Sequence, residues 1–343
     1  MTRTVRAIAG ACLGVVLVAV PATASEPAVQ VGLDRLAAGE DHGLQGKRLG
    51  LIVHAASVSS DGRHAIDVLR DAKLDVVRLL TPEHGLRSRA AAGEHVASGR
   101  DPKSGLPVVS LYGAHRKPKA EDLKGLDVLV FDLQGAGVRF YTYVSTLILA
   151  VEAAAETGLE LVVLDRPNPL GGDRIEGPSS APRDVVPSSF VNRAPGPLVH
   201  GLTLGEMARH VNQGLDEPAR LNVVALKGWK RSMTWADTGL PWVSPSPNLR
   251  TPEAAVAYPG IALLEATNVS EGRGTPNPFL VFGAPWLHTK DLQVSAPGFE
   301  VEPITFTPTA SPAAPNPKHL EVLCHGMQVR VTDPATAEPY RLG

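Results

Sequence analysis

Cysteine is scarce in this sequence. There are two, and because Cys12 falls in an N-terminal apolar run, only Cys324 is left for the folded chain. A single thiol excludes an internal disulfide, and the lack of paired cysteines excludes a thiolate zinc site. An excess of one charge is missing too. With 33 Lys and Arg against 35 Asp and Glu, the formal charge is −2 and no basic run is present, so nucleic acid is not expected as a partner. There is no G-x-S-x-G elbow, no H-E-x-x-H and no G-x-x-x-x-G-K-[ST], which removes the serine-hydrolase, zinc-protease and P-loop readings. "GAGVRF" (135–140) follows a strand but lacks the third glycine of a dinucleotide fingerprint. Neither a metal nor a cofactor is expected.

What is present is an ordinary globular composition, 43% hydrophobic and 20% charged, in a chain long enough for about two domains. Arg3 and Arg6 precede an uncharged apolar run from Ala7 to Val20, and Ala22-Thr23-Ala24 offers a small-x-small cleavage site. Residues 1–24 therefore read as a secretory signal peptide, with a secreted or periplasmic mature chain. The run falls short of the roughly 20 residues that span a bilayer, so no transmembrane helix is expected in the mature chain. Cys12 has no lipobox around it, which argues against a lipoprotein.

From Lys47 onward, near-continuous apolar runs alternate with helical patterns. Strands are predicted at "RLGLIV" (48–53), "LDVVRLL" (74–80), "LPVVSLYG" (106–113), "DVLVFDL" (127–133), "LELVVLD" (159–165) and "RLNVVAL" (220–226). Helices are predicted over 61–72, 119–125, 141–158 and 203–214, the last opened by Thr203 with Glu206 three residues on. The alternation implies an α/β fold: a Rossmann-like, mainly parallel sheet over residues 30–245, then a smaller α/β C-terminal domain over 250–343. Residues 296–319 are proline-rich and expected to be extended, and 320–333 to form one or two strands.

In such sheets ligands bind beyond the carboxyl ends of the strands. Three strands deliver acids there: Glu83 with His84 in "TPEHGLRS" (81–88), Asp132 at the end of "VLVFD", and Asp165 with Arg166 in "DRPNPLGG" (165–172). "TNVSEGRGT" (267–275) gathers Asn268, Glu271 and Arg273 among small residues, which suits a polyhydroxylated ligand or, equally, an exposed hairpin loop.

These stretches, with "DPKSGLPVVSLYG", "HGLTLGEMA", "SPSPNL", "YPGIALLEATNVSEGRGT" and "FGAPW", resemble the exo-β-N-acetylmuramidases of the NamZ type from about Gly32 to Asp333. The resemblance implies a Rossmann-like domain, a smaller second domain, a cleft between them, and release of N-acetylmuramic acid from the non-reducing end of peptidoglycan fragments. Three departures stand out. "QGAG" replaces the family's usual "QDVG", putting Gly135 where an acid is common. "HAASVSSDG" (54–62) stands in place of an asparagine-containing segment, and the chain stops sooner after 331–333 than family members do, which leaves open a shortened second domain or a truncated sequence. Gly135 also keeps a second reading open, a non-catalytic muropeptide-binding protein of the same fold.

The catalytic candidates are Glu83 as leading acid, Asp132 as the preferred second carboxylate and Glu271 as the alternative. Substrate-binding candidates are His84, Arg139, Tyr141, Asp165, Arg166, Asn168, Asn268 and Arg273. The substrate's lactyl carboxylate calls for an arginine fork, for which Arg139 is preferred and Arg273 is second.

Overall fold

The computed structural model describes residues 29–88, 90–180 and 189–343, so the expected signal peptide lies outside the described residues. In chain order the strands are β1 (Arg48–Val53), β2 (Asp75–Thr81), β3 (Gly99–Arg100), β4 (Pro107–Ser110), β5 (Val128–Asp132), β6 (Glu160–Leu164), β7 (Glu176–Ser179), β8 (Pro197–Val199), β9 (Arg220–Val224), β10 (Val281–Ala284), β11 (Phe299–Phe306) and β12 (Cys324–Val331). The helices are α1 (Gly32–Ala37), α2 (Ala65–Asp71), α3 (Ala120–Leu123), α4 (Thr142–Thr157), α5 (Leu204–Gln213), α6 (Trp235–Thr238) and α7 (Pro252–Ile261).

Seven strands form one sheet in the order β3-β4-β2-β1-β5-β6-β9. All neighbours in it are parallel except the β3–β4 pair at one edge. Leu49, Leu51, Ile52 and Val53 of β1, and every residue of β5, are buried, because these central strands are covered on both faces. The expected doubly covered parallel sheet is what the chain forms.

Helix α4 is buried on almost every side and ends at Gly158, whose φ of 67° supplies the left-handed cap. The capping box of α5 forms as the sequence implies: the Thr203 hydroxyl accepts from the Glu206 N–H at 3.1 Å and Glu206 accepts from the Thr203 N–H at 2.9 Å.

The C-terminal part adds α7 and a three-stranded antiparallel sheet, β10-β12-β11. Part of the stretch expected to be merely extended is β11, which tolerates Pro303 because it pairs on one side only. Cys324 opens β12 and is fully buried. One apolar core runs from Leu147 and Val151 of α4 through Ile261 of α7 to Met327 and Val329 of β12, so the two parts share their packing. Among the described residues, no helix is long and apolar enough to cross a membrane.

Candidate active site

The strand order reverses between β1 and β5, the usual place for a ligand in an open α/β sheet. Here that place is filled with protein. Asp132 has no exposed surface, and its two carboxylate oxygens accept from Arg166 Nε at 2.6 Å and Nη2 at 2.9 Å. Arg166 Nη1 donates to the Val58 carbonyl at 2.8 Å, and the Ser57 hydroxyl donates to the Asp132 carbonyl. The His54 ring, held uncharged by burial, takes the Gln134 N–H at 3.0 Å. Asp132 therefore does not serve as a second cleft carboxylate. Its lone pairs are committed to Arg166, and no water or sugar can reach it.

Asp165 and Asn168 are also held inside the scaffold. Asp165 accepts from the Gly205 N–H at 2.8 Å, the Arg166 N–H at 3.0 Å and the Thr203 hydroxyl at 2.7 Å, tying the end of β6 to the start of α5. Burial pushes its carboxyl up to about 6. A Cβ on Gly205 would lie 2.6 Å from the Asp165 Cγ, so the approach needs glycine. Asn168 accepts from the Leu170 N–H and donates to the Leu202 carbonyl, closing its own loop.

Glu83 follows the end of β2 and opens instead onto a cleft of about 580 Å³. The walls come from His84, Tyr112 beyond β4, Phe140, Tyr141 and Thr142 at the amino end of α4, Tyr258 of α7, Glu265 just after it, and Arg273 and Phe279. Glu83 is 7% exposed, and donors fix both of its oxygens: the Gly93 N–H at 2.8 Å and the Thr142 hydroxyl at 2.7 Å. The amino end of α4, where Thr142 sits, adds its positive dipole beside this side chain. Burial, reinforced by the neighbouring Glu83, pushes the Tyr112 phenol up to about 12, which keeps it a donor. The Tyr143 hydroxyl reaches the Glu83 carbonyl at 3.1 Å and the Pro245 carbonyl at 2.8 Å, pinning the backbone.

His84 has a φ of 68°, and Phe279 across the cleft has 64°. Left-handed backbone at side-chain-bearing residues costs about 1–3 kcal/mol, and such strain gathers at functional sites. His84 Nδ1 donates to the Ala90 carbonyl at 2.8 Å, leaving Nε2 as the acceptor. Burial lowers its pKa, against the opposing pull of Glu83. The Tyr141 hydroxyl is buried in the cleft wall, its ring edge-on to that of Tyr143 with centres 4.9 Å apart.

The second cleft carboxylate is Glu265. Enclosure raises its carboxyl above the ordinary value even though 42% of the side chain stays open to solvent. Arg273 Nη1 contacts Glu265 at 2.9 Å and Glu271 at 2.8 Å, and its Cζ lies 4.9 Å from the Phe279 ring centre. Glu271 is 3% exposed and lies behind the cleft wall. Burial pushes its carboxyl up, but Arg273 and Lys318 outweigh that and hold it low.

Arg139 donates to the carbonyls of Pro178 at 3.0 Å and Gly196 at 2.6 Å, away from the cleft, so it cannot form the expected fork around a substrate carboxylate. Asn268 is exposed outside the cleft, where its carbonyl meets His319. Of the sequence candidates, the structure thus brings together Glu83, His84, Tyr141 and Arg273. It adds Tyr112, Thr142, Tyr258, Phe279 and Glu265, which pattern reading passed over. For Glu265 a signal existed, since it is the one charged residue between Ala254 and Ala266.

The Rossmann-like sheet thus carries a cleft that joins two carboxylates to aromatic walls, groups of the kind that glycosidic cleavage uses. Residues 49–253 match the family model described as exo-β-N-acetylmuramidase NamZ, N-terminal, and residues 256–343 match its C-terminal counterpart. The chain belongs to the exo-β-N-acetylmuramidase NamZ family. It is 45% identical over 327 residues to the peptidoglycan β-N-acetylmuramidase NamZ of Bacillus subtilis (strain 168), covering 94% of this chain and 77% of that one. Two crystal structures of DUF1343 family proteins from Bacteroides fragilis NCTC 9343 are similar. One has a TM-score of 0.81 at 38% identity, covering 92% of this chain and 80% of the other. The second has a TM-score of 0.71 at 33% identity, covering 88% and 76%.

Proposed function

We propose that this protein is an exported exo-β-N-acetylmuramidase that releases N-acetylmuramic acid from the non-reducing end of peptidoglycan fragments. The observation that carries the reading is the pair Glu83 and Glu265 in one aromatic-walled cleft. Its volume falls within the roughly 300–1,000 Å³ of small-molecule pockets, which suits a terminal sugar better than an extended glycan. The aromatic walls offer faces for the sugar ring.

The environments divide the work between the two acids. Glu83, with donors on both oxygens, is the carboxylate that faces the positive charge developing at C1. Glu265, raised by enclosure and partly open to solvent, is the proton donor, placed where a leaving group projects outward. As the bond from C1 to the leaving oxygen breaks, that oxygen takes the Glu265 proton. Water then delivers hydroxide to C1 and a proton to the carboxylates. His84 Nε2 is placed to accept from a sugar hydroxyl.

The binding-only reading drew its support from Gly135. A Cβ at that position would meet Leu204 at 3.2 Å, and the residue does not line the cleft, so a missing acid there removes nothing from it. Incubation with the N-acetylmuramic acid–N-acetylglucosamine disaccharide tests the proposal. Free N-acetylmuramic acid is the expected product, and an intact disaccharide would sink it. Export rests on the N-terminal pattern, and N-terminal sequencing of protein recovered outside the cytoplasm should begin near Ser25.

A further inference from the structure

N-acetylmuramic acid differs from N-acetylglucosamine by a lactyl ether that carries a carboxylate, so the proposed site should hold a cation with donors to spare. Arg273 is that cation. Its Nη1 is committed to Glu265 and Glu271. Its Nε makes no hydrogen bond, although it is buried, and Nη2 has no bonding partner among the described residues. A guanidinium binds a carboxylate through two parallel N–H groups, and the Nε–Nη2 edge is such a pair. A buried donor left unbonded costs about 1–3 kcal/mol, so the free protein keeps a penalty that a ligand can remove.

We propose that the Nε–Nη2 edge of Arg273 docks the carboxylate of the substrate's lactyl group and so selects N-acetylmuramic acid over N-acetylglucosamine. The inference rests on the muramidase reading and adds the residue that sets its specificity. Charge fits the assignment. Lys318 also lies 3.3 Å from Glu271, so Arg273 is not the sole cation on that buried acid and can take a second carboxylate. Phe279, at φ 64°, lies against the guanidinium with its ring centre 4.9 Å from Cζ. The same arrangement couples recognition to chemistry, because a carboxylate arriving beside Glu265 favours the protonated acid that the reaction needs.

The test compares three aryl glycosides: the β-N-acetylmuramide, its lactyl methyl ester and the β-N-acetylglucosaminide. In the wild-type enzyme the free acid should exceed the other two in kcat/KM by on the order of 100-fold, because a site built to bond a group rejects analogues that lack it. Arg273→Lys keeps the charge and loses the fork, so it should erase most of that advantage: whatever it costs all three substrates through its contact with Glu265, the free acid should lose by far the most. Equal cleavage of acid and ester by the wild-type enzyme overturns the proposal without any variant. So does an unchanged preference in folded Arg273→Lys, or an equal loss on all three substrates. A preference that collapses instead in Arg116→Ala would overturn it as well, moving the dock to the exposed guanidinium 5.2 Å from the Tyr112 ring and 4.4 Å from Phe190. If the wild-type enzyme cleaves none of the three, the glycosidase reading fails separately. Calorimetry with free N-acetylmuramic acid and N-acetylglucosamine then decides the docking: tighter binding of the muramic acid, lost in Arg273→Lys, supports it, and equal binding refutes it.

Discussion

Asp132 closes β5 and Glu83 follows β2, at the same edge of one sheet, yet Asp132 has no exposed surface while Glu83 opens onto a cleft. Arg166 meets both oxygens of Asp132, whereas neutral donors from a glycine backbone and a threonine hydroxyl meet those of Glu83. A full positive charge completes the first carboxylate and seals the switch point. Neutral donors hold the second in place at the cleft. The lesson is that the counter-charge, more than the position at a strand end, separates the sealed acid from the one that opens onto the cleft.

The largest effect that separates the two should come from Glu83→Gln. It keeps the shape and loses the charge, so kcat should fall by about 10²- to 10⁴-fold with the melting temperature held within a few degrees. Near-normal turnover in that variant would erase the distinction. Asp132→Ala should do the opposite. It leaves Arg166 buried and unpaired, at a cost of about 3–5 kcal/mol in denaturant unfolding, while turnover per folded molecule survives. Glu265→Gln should cut hydrolysis of the natural disaccharide by roughly 100-fold but barely slow an aryl glycoside whose leaving group needs no proton. Equal slowing of both substrates would remove Glu265 as the donor.

A smaller effect concerns Asp165, whose carboxyl is raised by burial to about 6. A raised acid stabilises the fold fully below its unfolded pKa near 4, and that stability is lost as pH rises through about 6. Asparagine reproduces the protonated form, accepting from the two backbone N–H groups and donating to Thr203. Wild type should therefore lose stability relative to Asp165→Asn by on the order of 1–3 kcal/mol between pH 4 and pH 7, read as the difference between their melting curves. A constant difference across that range would mean that the three hydrogen bonds keep Asp165 charged throughout. The smallest effect should follow Arg139→Ala, which frees two carbonyls beside β7 and β8. A loss of about 1–2 kcal/mol is expected, with sugar preference untouched.

The parallel sheet was legible because central strands bury both faces, so their apolar runs are unbroken. Helix α7 was not. Its moving stripe is absent, since Ala254, Ala255, Val256 and Ala257 are all buried, and Pro259 looks like a breaker. Thr251 followed by Pro252 was the available start signal. In the site, Glu83 and His84 were legible from their place after a strand. Asp132 was placed at the correct edge, but the pairing of Arg166 with Asp132 instead of its neighbour Asp165 depends on how β5 and β6 lie side by side. Glu265 and Phe279 reach the cleft from the second part of the chain, and no local pattern encodes that meeting.

Cys324 gives the molecule a built-in clock. Its thiol is fully buried at the start of β12, and burial pushes its pKa up, so an alkylating reagent meets no thiolate while the strand stays paired. Because β12 shares its core with α4, labelling should proceed at the rate of whole-molecule opening rather than of a fraying edge. A bound sugar bridging Glu83 and Arg273 would clamp the two parts together, and the slowing of that clock would register occupancy without any need for turnover.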